Sequence, residues 1–230
     1  MHETRTRASR RKTFRPPRLI QTEDDIRDGI RSLRRRCEII RKMHKAAGDP
    51  PLRRRPAGFE GLARIIVGQQ LSVASAAAIW DRTIKLVQPF DAIVLLAHSD
   101  EALRGAGLSG PKIRTLRAAA TAVAVDGLDL EALDALEDEA IHQALTGISG
   151  VGPWTADVFV MFCLGRADAF ASGDLALQIA AQWAMGLDER PSPAALLELA
   201  ERWRPWRGVA ARLLWAYYAA VKDARSGIPV

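Results

Sequence analysis

Residues 145–156 read Leu-Thr-Gly-Ile-Ser-Gly-Val-Gly-Pro-Trp-Thr-Ala. Two helical patterns flank a link that contains Gly147, Gly150 and Gly152. Glycine adopts positive φ and lets the backbone approach another surface closely, and Pro153 suits the first turn of a helix. Free amides at such a helix start can bind an anion. The spacing alone fits either a phosphate-binding hairpin or a plain helix–helix turn, and favours the turn.

The sequence on both sides of this link is helical nearly throughout. From Glu23 to the Gly48–Pro51 breaker, apolar residues recur at three- and four-residue spacing, which predicts one amphipathic helix. No segment alternates with the period of two that is typical of a strand. The predicted fold is therefore all-α, with about ten helices and short loops. The other predicted helices are 59–68, 72–87, 91–97, 99–105, 110–125, 138–145, 152–164, 174–185, 192–203 and 206–224.

Length and composition limit the possible classes of protein. The 230 residues, 48% hydrophobic and 26% charged, can bury a core without disulfides or a metal. Cys37 and Cys163 cannot form a four-thiolate metal site, and His44, His98 and His142 lack partners at ligand spacing. No apolar run approaches the roughly 18–20 residues that span a bilayer, and the N-terminus has no apolar stretch of a secretory signal. The sequence therefore predicts a protein that is not embedded in a membrane.

Positive charge is concentrated at the beginning of the chain. Residues 1–55 contain 18 Lys and Arg against 7 Asp and Glu, whereas residues 56–230 contain 15 against 20. This balance is typical of an arm that binds nucleic-acid phosphates, and equally of a solvated helix face with a free tail. Residues 1–18 are polar and basic and are predicted to be a disordered tail.

The hairpin and three other segments together resemble a known family. The segments are Ile65–Ser72 (IIVGQQLS), Gly107–Lys112 (GLSGPK) and Glu201–Arg207 (ERWRPWR). In this order they are similar to the 3-methyladenine DNA glycosylase II (AlkA) type of helix–hairpin–helix (HhH-GPD) DNA glycosylase. The resemblance covers residues 20–225. It implies one domain over residues 19–230, with two interleaved helical lobes flanking an active-site cleft and the hairpin at 145–156. It also implies a compact form that lacks the N-terminal β domain of AlkA.

Asp174 is the catalytic residue that the resemblance implies. In the family an aspartate follows the hairpin by about twenty residues, and Asp174 lies twenty residues beyond Trp154. Asp174 precedes a predicted helix, whose N-terminus favours a carboxylate. Cleavage of an N-glycosidic bond develops positive charge on the sugar, which a fixed carboxylate stabilises while it aligns or deprotonates water. The plain alternative is a helix N-cap worth about 1 kcal/mol, and both roles can hold together.

Trp154, Trp215 and Leu175 form the base pocket that the resemblance implies, with the two tryptophans facing each other. Indole faces attract cationic rings such as 3-methyladenine and 7-methylguanine. Relatives with lyase activity have a lysine at the position of Trp154, which forms a Schiff base. The tryptophan here implies a monofunctional glycosylase. The sequence does not rank 3-methyladenine, 7-methylguanine, hypoxanthine and ethenoadenine as substrates.

The resemblance also assigns contacts to DNA. A flipped base leaves a gap that a side chain fills, and either Gln70 or Leu71 occupies the position of this plug. Main-chain carbonyls of Thr146, Ile148 and Val151 are placed to bind Na⁺, K⁺ or another hard cation, and no other cofactor is expected. The remaining DNA-binding residues are Gln69, Lys112, Gly147, Gly150, Val151, Gly152 and Thr155.

The sequence therefore supports one main hypothesis and two alternatives. The main one is a monofunctional, monomeric glycosylase of base-excision repair that acts on damaged double-stranded DNA in the cytoplasm, at the nucleoid. A non-catalytic helix–hairpin–helix protein that binds DNA or lesions is the first alternative, and it requires neither Asp174 nor the paired tryptophans. A helix–turn–helix regulator is the second, but the helix after the hairpin is mostly apolar, which favours burial over base reading.

Overall fold

The computed structural model describes residues 17–226, with side chains described as far as residue 222. Within this range the chain forms helices and no β-strand, apart from one isolated bridge between Leu19 and Arg166. The all-α prediction is confirmed. No helix of the described range is long and apolar enough to cross a membrane. The α-helices are α1 Glu23–Arg36, α2 Glu38–Ala47, α3 Phe59–Gly68, α4 Val73–Leu86, α5 Ala92–Ala97, α6 Asp100–Gly105, α7 Gly110–Ala124, α8 Asp138–Thr146, α9 Pro153–Phe162, α10 Leu175–Met185, α11 Pro193–Ala200 and α12 Arg207–Ser226, with 3₁₀ turns at Ala132–Ala135 and Glu201–Trp203.

Side-chain caps begin many of these helices where the sequence places Ser, Thr or Asp. The Thr22 hydroxyl accepts the Asp25 amide and the Asp25 carboxylate accepts the Thr22 amide, which is a complete capping box. The same kind of cap from a single side chain starts five further helices, with Ser72, Asp91, Ser99, Asp174 and Ser192. Side-chain caps therefore account for the starts of six of the twelve α-helices within residues 17–226.

The predicted single helix between residues 23 and 47 is wrong, because the chain breaks at Cys37. Cys37 has extended backbone angles (φ −137°, ψ 114°) and separates α1 from α2. The break turns α2 so that Ile40 and Met43 enter the core, whereas His44 stays half-buried. Both helices pack against α12, and α2 also packs against α10. Burial of both short apolar faces outweighs the continuity of one helix.

The helices pack in two sets that meet at the start of α10. One set contains α1, α2, α10, α11 and α12, and the other contains α3 to α9. The buried guanidinium of Arg212 on α12 joins the sets, because it donates to the carbonyl of Met161 on α9 at 2.7 Å and to that of Gly208 at 2.9 Å. Asp174 lies at this junction.

The folded part of the chain begins before residue 19. The Arg18 carbonyl accepts the Ala167 amide at 2.8 Å, and its guanidinium carbon lies 4.6 Å from the centre of the Trp206 ring. Arg18 is thus held by the domain, which corrects the predicted tail boundary. The rest of the predicted basic tail, residues 1–16, lies outside the described residues.

Candidate active site

The carboxylate of Asp174 lies at the centre of the site. Asp174 is the N-cap of α10, and its Oδ1 accepts the Leu177 amide at 3.0 Å. Oδ1 also accepts the indole N–H of Trp215 at 3.0 Å, and Oδ2 accepts that of Trp154 at 2.9 Å. A carboxylate has about four lone-pair positions, so Oδ2 keeps capacity for a further partner. Two indole N–H groups and one N–H group of the helix N-terminus therefore hold the carboxylate in one orientation.

The two tryptophans meet Asp174 through their N–H edges. Trp154 stands in the first turn of α9 and Trp215 in the middle of α12, and both rings are half-buried. Trp215 also packs on Phe162, with ring centroids 5.6 Å apart at an angle of 35°. Leu175 is 54% exposed beside the carboxylate. The three residues of the predicted base pocket are therefore brought together, and the indole N–H groups have a specific role that the sequence did not predict.

The loop that leads to Asp174 is fixed to the start of α12. The guanidinium of Arg207 donates to the Asp168 carboxylate, with an Nε–Oδ1 distance of 3.1 Å. The Gly208 amide donates to the Ala167 carbonyl at 2.8 Å, and a Cβ on Gly208 would lie 2.9 Å from that oxygen. This close approach requires glycine. The Arg207–Gly208 pair therefore sets the position of the loop that leads to Asp174.

The turn between α3 and α4 presents the predicted plug residues at the surface. Gln70 is exposed and has φ +55°, which is strained for a residue with a side chain. Leu71 is 39% exposed and Val73 is 82% exposed. Gln69 anchors the turn, because its Nε2 donates to the Thr155 hydroxyl at 2.8 Å. The anchor connects the turn directly to the hairpin helix α9.

Two predicted DNA-binding side chains have partners inside the protein instead. Thr155 is 2% exposed, and its hydroxyl accepts the bond from Gln69. Lys112 donates to the Val67 carbonyl at 2.6 Å, and burial lowers the pKa of this amine. Lys112 therefore stabilises the end of α3, where carbonyls lack helical partners. These contacts hold the turn between α3 and α4 (the plug turn) from inside the protein.

The hairpin occupies residues 147–152 between α8 and α9. Gly150 has φ +84°, and a Cβ there would lie 2.0 Å from the Thr115 hydroxyl oxygen on α7. A Cβ on Gly152 would meet nothing within 4 Å. Only Gly150 is therefore required by packing as well as by backbone conformation. Gly147 is in the right-handed region and caps α8.

The three carbonyls predicted to bind a cation differ in their backbone hydrogen bonds. The Ile148 carbonyl accepts the Val151 amide at 3.0 Å, whereas the Thr146 and Val151 carbonyls accept no backbone amide within residues 17–226. Carbonyl oxygens are suitable ligands for a hard cation. In the described part of the chain, no group of three or more His, Cys, Asp or Glu side chains is placed to bind a metal.

A histidine–carboxylate pair joins the two helices of the hairpin. His142 Nε2 on α8 lies 3.1 Å from Asp157 Oδ1 on α9. The hydrogen bond that His142 donates to Asp157 raises the pKa of His142, and burial raises the pKa of Asp157. The sequence did not predict this pair, because residues fifteen positions apart match neither the helical period nor the spacing of metal ligands.

Sequence analysis also missed the surroundings of Phe162. Arg212 lies on α12, one turn before Trp215. Its guanidinium carbon is 4.6 Å from the centre of the Phe162 ring. Arg53 lines a small cavity with Phe162, Arg212 and Trp215. Nothing in the sequence identifies this cluster, because its members come from three distant segments.

Comparisons with known proteins identify relatives of this chain. Residues 63–205 match the model of the HhH-GPD superfamily base excision DNA repair protein. The chain is 31% identical over 217 residues to a protein of Mycobacterium tuberculosis named as a probable bifunctional transcriptional activator/DNA repair enzyme AlkA. This match covers 88% of the chain and 42% of the relative, so the chain spans less than half the length of that protein.

Two solved structures share the fold over most of their length. A DNA-3-methyladenine glycosidase from Bacillus halodurans superposes with a TM-score of 0.71 at 34% identity, over 85% of this chain and 91% of that one. A Schizosaccharomyces pombe 3-methyladenine DNA glycosylase, Mag1, in complex with abasic DNA superposes with a TM-score of 0.72 at 25% identity, over 82% and 95%.

Proposed function

Because the chain belongs to the HhH-GPD superfamily of base excision DNA repair proteins, we propose that it is a DNA glycosylase for alkylated purines. It hydrolyses the N-glycosidic bond of 3-methyladenine or 7-methylguanine flipped out of double-stranded DNA. The observation that carries the proposal is the Asp174 carboxylate, which accepts N–H groups from Trp154, Trp215 and Leu177. A protein that only binds DNA needs no such oriented anion beside the strand.

The chemistry follows from the position of that anion. As the bond from C1′ to the base breaks, its electron pair leaves with the base and positive charge develops on the sugar. Asp174 stabilises this charge because its own geometry is already set by the protein. The remaining capacity of Oδ2 aligns a water that adds to C1′, and the carboxylate accepts its proton. Asp174 is already the N-cap of α10, so the carboxylate takes up this position without any movement of the helix.

We also propose that the enzyme does not cut the DNA strand. A lyase needs an amine that forms a Schiff base with the sugar. Trp154 occupies the expected position and donates its N–H to Asp174. Lys112 is engaged with the Val67 carbonyl at the end of α3. The expected products are the free base and an abasic site.

The proposed DNA-binding surface combines the plug turn and the hairpin. Either Gln70 or Leu71, both of which are exposed, fills the gap left by the flipped base. The backbone of Gly147, Gly150, Val151 and Gly152 approaches the phosphates, with a cation such as Na⁺ or K⁺ held by the carbonyls of Thr146, Ile148 and Val151. Gln69, Thr155 and Lys112 hold these elements in place. The protein acts as a monomer in the cytoplasm, at the nucleoid, where its DNA substrate lies.

The test is release of bases from duplex DNA treated with dimethyl sulfate. The wild type is compared with Asp174→Asn, the products are separated by chromatography, and strand cleavage is checked without added base. Asparagine is also a good N-cap, so circular dichroism is expected to show a folded variant. We expect methylpurine from the wild type only, with no cleavage. Binding of DNA without release of methylated, deaminated or etheno bases would contradict the proposal and support a non-catalytic DNA-binding protein.

A further inference from the structure

We propose that Val73, the first residue of α4, contacts the DNA strand opposite the flipped base. The inference rests on the proposed function, because it extends the DNA-binding surface beyond the plug turn. Its evidence is separate from that for Asp174, because it comes from the exposure and composition of α4. It adds a contact to the strand that does not carry the damaged base.

Val73 has little contact with the rest of the protein. Its exposed fraction is 82%, the largest among the exposed large hydrophobic side chains of the described residues. It follows the exposed Leu71 by two positions, and Ala74 and Ala77 are exposed as well. An apolar surface therefore continues from the plug turn along the start of α4. A single exposed valine needs no explanation, but a continuous apolar patch indicates a binding surface.

The surface around Val73 carries no charge. Residues 69–80 contain no Asp, Glu, Lys or Arg, although 26% of the whole chain is charged. The nearby hydroxyl groups are engaged within the helix start, because Ser72 Oγ accepts the Ser75 amide at 3.2 Å and donates to the Ser75 hydroxyl at 2.9 Å. Such a surface offers no cation to phosphates. It suits the sugars and base edges of the minor groove, where proteins that distort DNA insert apolar side chains.

The plug turn holds this surface in a fixed position. Gln70 has φ +55°, a conformation that persists only where the surrounding structure maintains it. Gln69, directly before it, donates to the Thr155 hydroxyl on α9 at 2.8 Å. The start of α4 is therefore fixed relative to the hairpin helix that carries Trp154.

The packing of α4 indicates which strand Val73 meets. The pocket residues Trp154, Asp174 and Trp215 lie on α9, at the start of α10 and on α12. Helix α4 packs instead on α3 and α6, so it leads away from the pocket. A base that enters the pocket draws its own strand toward α9 and α10. The strand that remains beside the start of α4 is then the opposite one.

A contact of this kind would stabilise the distorted duplex without reading its sequence. Flipping leaves the opposite base without its partner, and valine has no hydrogen-bonding group that could distinguish one base from another. Burial of one saturated carbon changes an equilibrium about fourfold. Val73→Ala removes two such carbons, so a contact that buries most of the side chain predicts about tenfold weaker binding.

The experiment measures affinity for a duplex that contains a stable abasic-site analogue, and for the same duplex with a gap opposite that site. Val125→Ala is the matched control, because Val125 is 71% exposed and lies at the end of α7 beside Asp126. Both side chains are exposed, so both variants should unfold in urea as the wild type does.

We expect Val73→Ala to bind the intact duplex about tenfold more weakly than the wild type, and Val125→Ala to stay within about twofold of it. On the gapped duplex, Val73→Ala should also stay within about twofold of the wild type, because the contacted nucleotides are absent. The dependence of affinity on salt should not change in Val73→Ala, since no charge is removed.

The outcomes separate this inference from the proposed function. If Val73→Ala binds the intact duplex as the wild type does, loses as much affinity on the gapped duplex, or changes the salt dependence, the contact is wrong. If the wild type binds the abasic duplex but releases no base from DNA treated with dimethyl sulfate, the proposed function is wrong, and the affinities still decide the contact. If the wild type binds neither duplex, both are wrong.

Discussion

Replacement of Trp154 by phenylalanine removes one N–H donor from Asp174 and leaves an aromatic ring in place. The indole nitrogen lies 2.9 Å from Oδ2 and is the protein donor to that oxygen, whereas Trp215 shares Oδ1 with the Leu177 amide. Hydrogen bonds to a charged group contribute about 1.5–3 kcal/mol, and partial exposure of this site favours the lower end. We expect a coupling free energy of about 1.5 kcal/mol between Trp154 and Asp174, and about 1 kcal/mol or less between Trp215 and Asp174.

A double-mutant cycle measures this coupling. The free energy of unfolding in urea is measured for the wild type, Trp154→Phe, Asp174→Ala and the double variant. When the four values are combined, the contributions of the smaller ring and of the lost N-cap cancel. The matched cycle uses Trp215→Phe. We expect the weaker coupling for Trp215 because it shares Oδ1 with the Leu177 amide. A coupling below about 0.5 kcal/mol for Trp154, or a larger value for Trp215 than for Trp154, would refute this expectation.

The same variant tests whether the donor matters for catalysis. A loss of about 1.4 kcal/mol in transition-state stabilisation lowers a rate about tenfold, so Trp154→Phe should lower the single-turnover rate at saturating enzyme by about that factor. Affinity for DNA that contains an abasic site should be unchanged, because the ring remains. A rate equal to that of the wild type would mean that Trp215 and Leu177 alone orient Asp174.

Three further predictions concern stability and binding. Since Asp157 raises the pKa of His142, the pair stabilises the protein while His142 is protonated, and this stabilisation is lost as the pH rises through the folded-state pKa of His142. The difference in Tm between the wild type and His142→Gln should therefore be largest near about pH 6 and shrink toward about pH 8. A difference that stays constant with pH would contradict the pairing. Gly150→Ala should lower the free energy of unfolding by roughly 2–4 kcal/mol, because it combines positive φ with a Cβ placed 2.0 Å from an oxygen of α7; Gly152→Ala, which meets open space, should cost under about 1 kcal/mol in the same urea titration. Deletion of residues 1–16, which contain six Lys and Arg, should flatten the dependence of DNA affinity on salt and leave saturated excision intact, and an unchanged slope would exclude the tail from DNA binding.

Much of the fold could be predicted because its signals are local. The apolar spacing of residues 59–68 and the cap at Ser72 correspond to the observed α3 and α4. The break at Cys37 could not be predicted, since the apolar spacing continues through it and only packing on α12 favours two helices. Helix boundaries that depend on short-range hydrogen bonds and helical period could thus be predicted, and boundaries that depend on distant partners could not.

The site shows the same division. Asp174 was predicted at a helix start, and the structure confirms that it caps α10. Its indole donors Trp154 and Trp215 lie 20 and 41 residues from Asp174, and the bonds from Gln69 to Thr155 and from Lys112 to Val67 span 86 and 45 residues. A side chain's hydrogen-bond partner depends on which helices pack together, and no local pattern encodes that.

The amino-acid sequence by itself therefore determined the helical class, most helix ends and the residues that resemble a glycosylase, because helix propensity, capping and glycine conformation act within a few residues. Only the tertiary structure decided that Trp154 and Trp215 direct their N–H groups to Asp174. The physical reason is that burial brings together groups from distant segments, and each buried polar group must then find its partner among whatever the packing places nearby.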